Sequence, residues 1–105
     1  MDKRQTLEYN EALSLVRRYK QVISSRFPTE PRVMIYGSYS KGDAKPDSDI
    51  DVAVIVPTYG DKKMELSQEL WRDTRSVSFL IEPVLMAEDS PSPLYDDVMR
   101  TGIAV

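Results

Sequence analysis

Residues Tyr36 to Val56 read YGSYSKGDAKPDSDIDVAVIV. The second half of this stretch decides the fold. Ile50–Val56 (IDVAVIV) is apolar at nearly every position, the pattern of a strand buried on both faces and central in a sheet. Asp49 and Asp51 stand at its mouth with one residue between them. On an extended chain, residues i and i+2 point to the same face. The two carboxylates therefore project together, while Ile50, Val52, Val54 and Val56 fill the other face. Paired carboxylates repel unless something positive holds them. A hard divalent cation such as magnesium, which takes oxygen ligands, suits them.

Working outward, Arg32–Tyr36 (RVMIY) reads as a preceding strand, rich in β-formers. Gly37 to Ser48 reads as a loop, with one helical turn at Ser38 to Lys41 closed by Gly42. Upstream, Thr6 to about Phe27 predicts a helix: Leu13, Val16, Ile23 and Phe27, with Tyr9 or Tyr19, recur at helical spacing. Thr6 is its expected N-cap and Pro28 its stop. Downstream, Pro57 and Gly60 break the central strand. Asp61 to about Arg75 predicts a second helix with Met64, Leu70 and Trp71 in the core. Val77 to Met86 (VSFLIEPVLM) predicts a third strand. Pro91 to about Thr101 predicts a terminal helix with Leu94, Val98 and Met99 on its apolar side. The order α-β-β-α-β-α implies an α/β (α+β) fold, a mixed central sheet flanked by helices. At 105 residues, one domain spanning 1–105 is expected.

Composition narrows the chemistry. The chain has no cysteine and no histidine, which excludes disulfides, thiolate or imidazole zinc sites and histidine-based nucleophilic catalysis. The formal net charge of -3 argues against general binding to phosphate backbones. The polar N-terminus, MDKRQTLEYNEA, lacks a signal core, and no apolar run could span a bilayer, so a cytoplasmic location is expected.

Glu82 is the next candidate. It sits inside VSFLIEPVLM, with no lysine or arginine within six residues on either side. A buried, unpaired charge is costly. If its strand neighbours Ile50–Val56, Glu82 reaches the face of Asp49 and Asp51, and three acids form a site for one or two metal ions. The plain alternative is an edge-strand glutamate facing water beside Pro83. Gly37-Ser38 lets a ligand approach the backbone closely, with a hydroxyl and the following amides suited to phosphate. Three other motifs fail. Gly37 to Gly42 has P-loop spacing, but Asp43-Ala44 replaces the required Lys-Ser/Thr. Asp47, Asp49 and Asp51 mimic a calcium loop, but Val52 and Thr58 occupy its glycine and glutamate positions. No dinucleotide fingerprint follows a strand.

Gly37-Ser38, ten intervening residues, then Asp49-Ile50-Asp51 is similar to the GS-x10-D-x-D signature of nucleotidyltransferases of the DNA polymerase beta superfamily. Within it, the chain resembles the minimal nucleotidyltransferases, or MNT proteins. The resemblance runs over the leading helix, GSYSKGDAKPDSDID, the late strand with its lone acid and the closing SPLYDDVMRTGIAV. It implies that Ser38, with Gly37, contacts a nucleoside triphosphate. It implies further that Asp49 and Asp51 hold magnesium, and that Glu82 is the third acid, on the nucleophile side. Lys41, one helical turn after Ser38, is a candidate for a phosphate, or is simply a solvated loop lysine. Asp43, Asp47 and Ser48 are expected to shape the loop through Asx-type hydrogen bonds.

The implied function is a magnesium-dependent nucleotidyltransferase, with two metal ions and ATP as substrate, moving AMP to a hydroxyl. MNT proteins of this size commonly pair with a HEPN-domain protein and act as its antitoxin by adenylylating it. A HEPN-type partner or a homodimer is therefore expected, with a docking patch around Leu94, Tyr95, Val98 and Ile103 as one option. Two other classes stay open: a small-molecule nucleotidyltransferase of the aminoglycoside-modifying kind, and a non-catalytic antitoxin that only binds its partner.

Overall fold

The computed structural model describes residues 3–42, 44 and 48–105, with side chains from Tyr9 onward. The elements are α1 (Lys3–Ser24), β1 (Arg32–Tyr36), α2 (Ser38–Lys41), β2 (Ile50–Val56), α3 (Lys63–Asp73), β3 (Ile81–Ala87), α4 (Pro93–Thr101) and β4 (Ile103–Ala104), with a 3-10 turn at Thr74–Ser76. They form a four-stranded sheet in the order β3-β2-β1-β4. β1 runs antiparallel to β2 and β4, and β2 runs parallel to β3. The expected mixed sheet with IDVAVIV inside it is therefore present. The short β4 is an added edge strand that a two-residue segment could not signal in advance.

Alternation along the strands separates two faces. One face carries Val33, Ile35, Ile50, Val52, Val54, Val56, Ile81 and Leu85, and packs against α1 and α3. Helix α1 offers Ala12, Val16, Tyr19 and Ile23, spaced four, three and four residues apart, and all buried. Val16 and Ile23 each contribute roughly 1.5–3 kcal/mol on burial. The other face carries Met34, Ala53, Ile55 and Met86, and is covered by Val98 of α4. Val98 is fully buried there, so it belongs to the core and not to a docking patch. Ser92 caps α4, its hydroxyl accepting from the Tyr95 N–H at 3.1 Å.

Polar contacts tie α1 to α3. The Tyr19 hydroxyl donates to the Leu70 carbonyl at 2.6 Å. Arg26 grips the buried Asp73 through two nitrogens, Nη2 at 2.7 Å. Burial first, then the charge of Asp73, raises the Tyr19 phenol above its ordinary value.

Three expectations need correction. α1 starts at Lys3, so Thr6 lies within the helix and is not its cap. The third strand starts at Ile81, not Val77. The Thr74 carbonyl accepts from both Val77 N–H (3.0 Å) and Ser78 N–H (2.8 Å), winding that apolar segment into a turn. In α3 only Leu70 of the three expected core residues is buried; Met64 and Trp71 face solvent, because the sheet offers α3 a narrow contact stripe.

β3 is an edge strand. Its even-numbered residues face β2: Leu80 O accepts from Ile50 N–H and Glu88 N–H donates to Val56 O. By alternation, Pro83 lies on the open side.

Candidate active site

β1 delivers the chain to the site. Its last residue, Tyr36, lies opposite Asp51. Gly37 then turns the backbone at φ 74, ψ -140, a conformation that side chains other than hydrogen strongly disfavour. A Cβ built on Gly37 would also run into Oδ2 of Asp51. The glycine thus meets two demands, the turn and the close approach of backbone to carboxylate. α2 is a single turn: Lys41 N–H donates to Gly37 O at 3.1 Å and the Ser40 hydroxyl to the same oxygen at 3.0 Å. Gly42 closes it in the left-handed region at φ 78. Tyr39, buried in the core, anchors this turn. Ser38 is partly buried beside the acids' end of the sheet. Lys41 is exposed and makes no ion pair among the described residues. Asp43 and Asp47 lie outside the described residues.

The acids come from the parallel pair formed by the central strand β2 and the edge strand β3. Asp51 and Glu82 are direct partners in the β2–β3 register. The Ile50 N–H bond to Leu80 O, at 2.7 Å, pins the start of both strands. Asp49 precedes β2 and is exposed, yet it stays within hydrogen-bonding reach of Glu82. Glu88, the acid at the far end of β3, pairs instead with Arg32 at 3.5 Å.

The electrostatics follow from this crowding. Asp51 is raised from its ordinary value by burial and then by the charge of Asp49. Glu82 is raised by its partial burial, then by the charge and hydrogen bond of Asp49, then by Asp51. Tyr36 was not singled out in the sequence. Its phenol is pushed up to about 12, by burial first and then by Asp51 and Glu82. The one available signal was its place two residues from Met34 on β1, which sets it on the acids' face. No arginine or lysine ion pair offsets these carboxylates among the described residues.

Such a group is short of positive charge. Among the described residues no group of three or more acids is gathered closely enough to hold a metal ion. The donor chemistry nevertheless fits a hard cation: oxygen ligands only, mutual repulsion, and a glycine that keeps backbone bulk away from Asp51.

Residues 16–83, which include Gly37, Ser38, Asp49, Asp51 and Glu82, match the nucleotidyltransferase domain model. The fold and this site define a nucleotidyl-transferring enzyme, and the chain belongs to the nucleotidyltransferase domain family. A relative from Methanocaldococcus jannaschii, named as an inferred protein adenylyltransferase, is 27% identical over 99 residues, covering 90% of this chain and 99% of its own. A crystal structure from Sulfolobus solfataricus, described as an inferred nucleotidyltransferase, shares the fold, with a TM-score of 0.74 at 18% identity over 99% of this chain and 87% of that one. A chain of the tri-AMPylated Shewanella oneidensis HEPN toxin–MNT antitoxin complex overlaps more loosely, with a TM-score of 0.44 at 24% identity over 95% of this chain and 70% of that one. Among the described residues no helix is long and apolar enough to cross a membrane.

Proposed function

We propose that this nucleotidyltransferase moves AMP from ATP to a hydroxyl group of a partner protein in a magnesium-dependent reaction. The observation that carries the reading is the Asp51–Glu82 register pair with Asp49 beside it and Gly37 pressed against Asp51. The acceptor class is supported by the name of the M. jannaschii relative.

In the proposed reaction, Gly37 and Ser38 receive the triphosphate, with the Ser38 hydroxyl donating to a phosphate oxygen. Lys41, one helical turn after Ser38, is the candidate for an added cationic contact. Asp49 and Asp51 are the ligands for the divalent cation, and Glu82 completes the set on the acceptor side. When bound, the cation supplies charge neutralisation for the triphosphate and acidifies the attacking hydroxyl. The acceptor oxygen forms a bond to the α-phosphorus as the bond to the pyrophosphate oxygen breaks. The hydroxyl proton passes to Glu82 on the acceptor side.

The motif's resemblance to MNT proteins makes a HEPN-type toxin the acceptor to try first, with a tyrosine as nucleophile. The test is incubation with ATP labelled at the α-phosphate, magnesium and a co-expressed HEPN-type partner, followed by mass spectrometry. Adenylylated partner, absent with Asp49→Asn, is the expected result. Labelling of an aminoglycoside and of no protein would favour the small-molecule reading. A stable complex without any modification would leave a binding module.

A further inference from the structure

Between α3 and the turn into β3 lies a groove of about 680 Å³. Three large apolar side chains line it in solvent: Met64 is 74% exposed, Trp71 50% and Phe79 84%. Single exposed apolar residues are ordinary on a protein surface, but several gathered around one groove mark an interaction site. Arg72 and Arg75 line the same groove. Neither makes an ion pair among the described residues. On a chain with a net charge of -3, a paired-arginine groove is complementary to an acidic ligand. Tryptophan, arginine, methionine and phenylalanine are also the residues enriched in the cores and hot spots of protein interfaces.

The position of the groove matters as much as its composition. Phe79 precedes Leu80, whose carbonyl holds the start of β2, and Glu82 follows two residues later. The groove therefore lies at the end of the sheet where the acids stand, beside the start of the edge strand β3, with α3 packed on the face opposite Asp51 and Glu82. Gly37 and Ser38 follow β1, on the far side of β2 from that strand.

We propose that this groove docks the acceptor protein, holding an acidic segment of it between Arg72 and Arg75 with an aromatic or large apolar side chain seated among Met64, Trp71 and Phe79. The acceptor hydroxyl then reaches Glu82 around the open edge of β3 while the nucleotide enters from the Gly37 side. The surface is argued without the chemistry; its role as acceptor dock rests on the adenylyltransferase reading.

Trp71 is the only tryptophan, so its fluorescence reports occupancy of the groove without any activity. The probe is a random copolymer of glutamate and tyrosine, with a lysine–tyrosine copolymer and Mg-ATP as comparisons. The acidic copolymer is expected to shift Trp71 emission, and the basic copolymer and Mg-ATP are not. Phe79→Ala, and separately Arg72→Glu with Arg75→Glu, should each weaken acidic-copolymer binding about tenfold or more, as loss of an interface hot spot does. All three positions are exposed, and unchanged melting would confirm that these variants fold. A shift with Mg-ATP alone would make the groove a nucleotide pocket and overturn the proposal. So would indifference to the arginine reversals, or an emission shift that follows protein concentration alone, as for a second copy. AMP incorporation on the same samples separates the two readings. A copolymer that binds through the arginines yet is never labelled leaves the groove standing and counts against its role as the acceptor dock.

Discussion

Glu82 stands directly across from Asp51 in a parallel ladder, so two acids that are distant in sequence occupy one level of one sheet face. With Asp49 in hydrogen-bonding reach of Glu82, a third charge joins a pair whose proximity is set by backbone register.

That repulsion should appear in stability. Asp51 and Glu82 both bind protons more tightly in the folded chain than in the unfolded one. Their stabilising contribution is therefore complete below the ordinary carboxyl value near 4 and is lost as pH rises through the raised values. The metal-free protein should melt at a higher temperature on mild acidification from neutrality, provided other acids titrate normally. Asp51→Asn should flatten that dependence and stabilise the metal-free protein at neutral pH by roughly 0.5–1 kcal/mol, a modest gain because the cluster is partly solvated. Magnesium with ATP should raise the melting temperature of the parent protein and leave that of Asp51→Asn unmoved. Calorimetric scans across pH, with and without Mg-ATP, measure all three effects.

Glu82→Gln separates ground-state binding from turnover. If Glu82 takes the acceptor's proton, turnover should fall by roughly a hundredfold or more while ATP affinity changes little. Equal losses in turnover and affinity would reassign Glu82 to nucleotide binding. An undiminished rate would return it to the water-facing edge glutamate.

Gly37→Ala tests the close approach. The side chain must take a positive φ and collide with Asp51. A cost of at least ~1–2 kcal/mol is expected from the backbone alone, together with loss of Mg-ATP binding as Asp51 is displaced. Urea denaturation and titration calorimetry read the two separately. Retained binding at parental affinity would show that the glycine serves the turn only.

Tyr19→Phe probes the frame away from the site. Its hydroxyl bonds the Leu70 carbonyl from a buried position. Leaving that carbonyl unpartnered should cost about 1–3 kcal/mol, seen in the urea midpoint, with adenylylation unaffected in conditions where the protein is folded.

The sequence carried the sheet more clearly than the helices. Ile50–Val56 is apolar on both faces because strands flank it and helices cover it, so its run of β-branched residues marked it as central. Gly37 and Gly42 were legible because each meets a backbone conformation that other residues resist. Val77 to Leu80 misled because apolar composition cannot reveal that Thr74 captures two following amides. Trp71 and Met64 misled for a related reason: composition ranks them as core, but only packing decides which stripe of α3 meets the sheet. In the site, spacing placed Asp49 and Asp51 together, whereas the Asp51–Glu82 pairing depends on strand register. Tyr36 became visible only once β1 was laid beside β2.

Pro83 has a consequence for assembly. It occupies the middle of the open edge of β3, where Leu85 and Ala87 turn their N–H groups outward and the Ile81 N–H is already donated to Ser78 O. Proline offers none, so an incoming strand would meet a gap in its hydrogen-bond row opposite that ring. The edge is thereby guarded against the strand-by-strand growth that turns exposed sheets into aggregates. An enzyme that keeps this flank open beside its acids can stay unassembled there without offering a template to other chains.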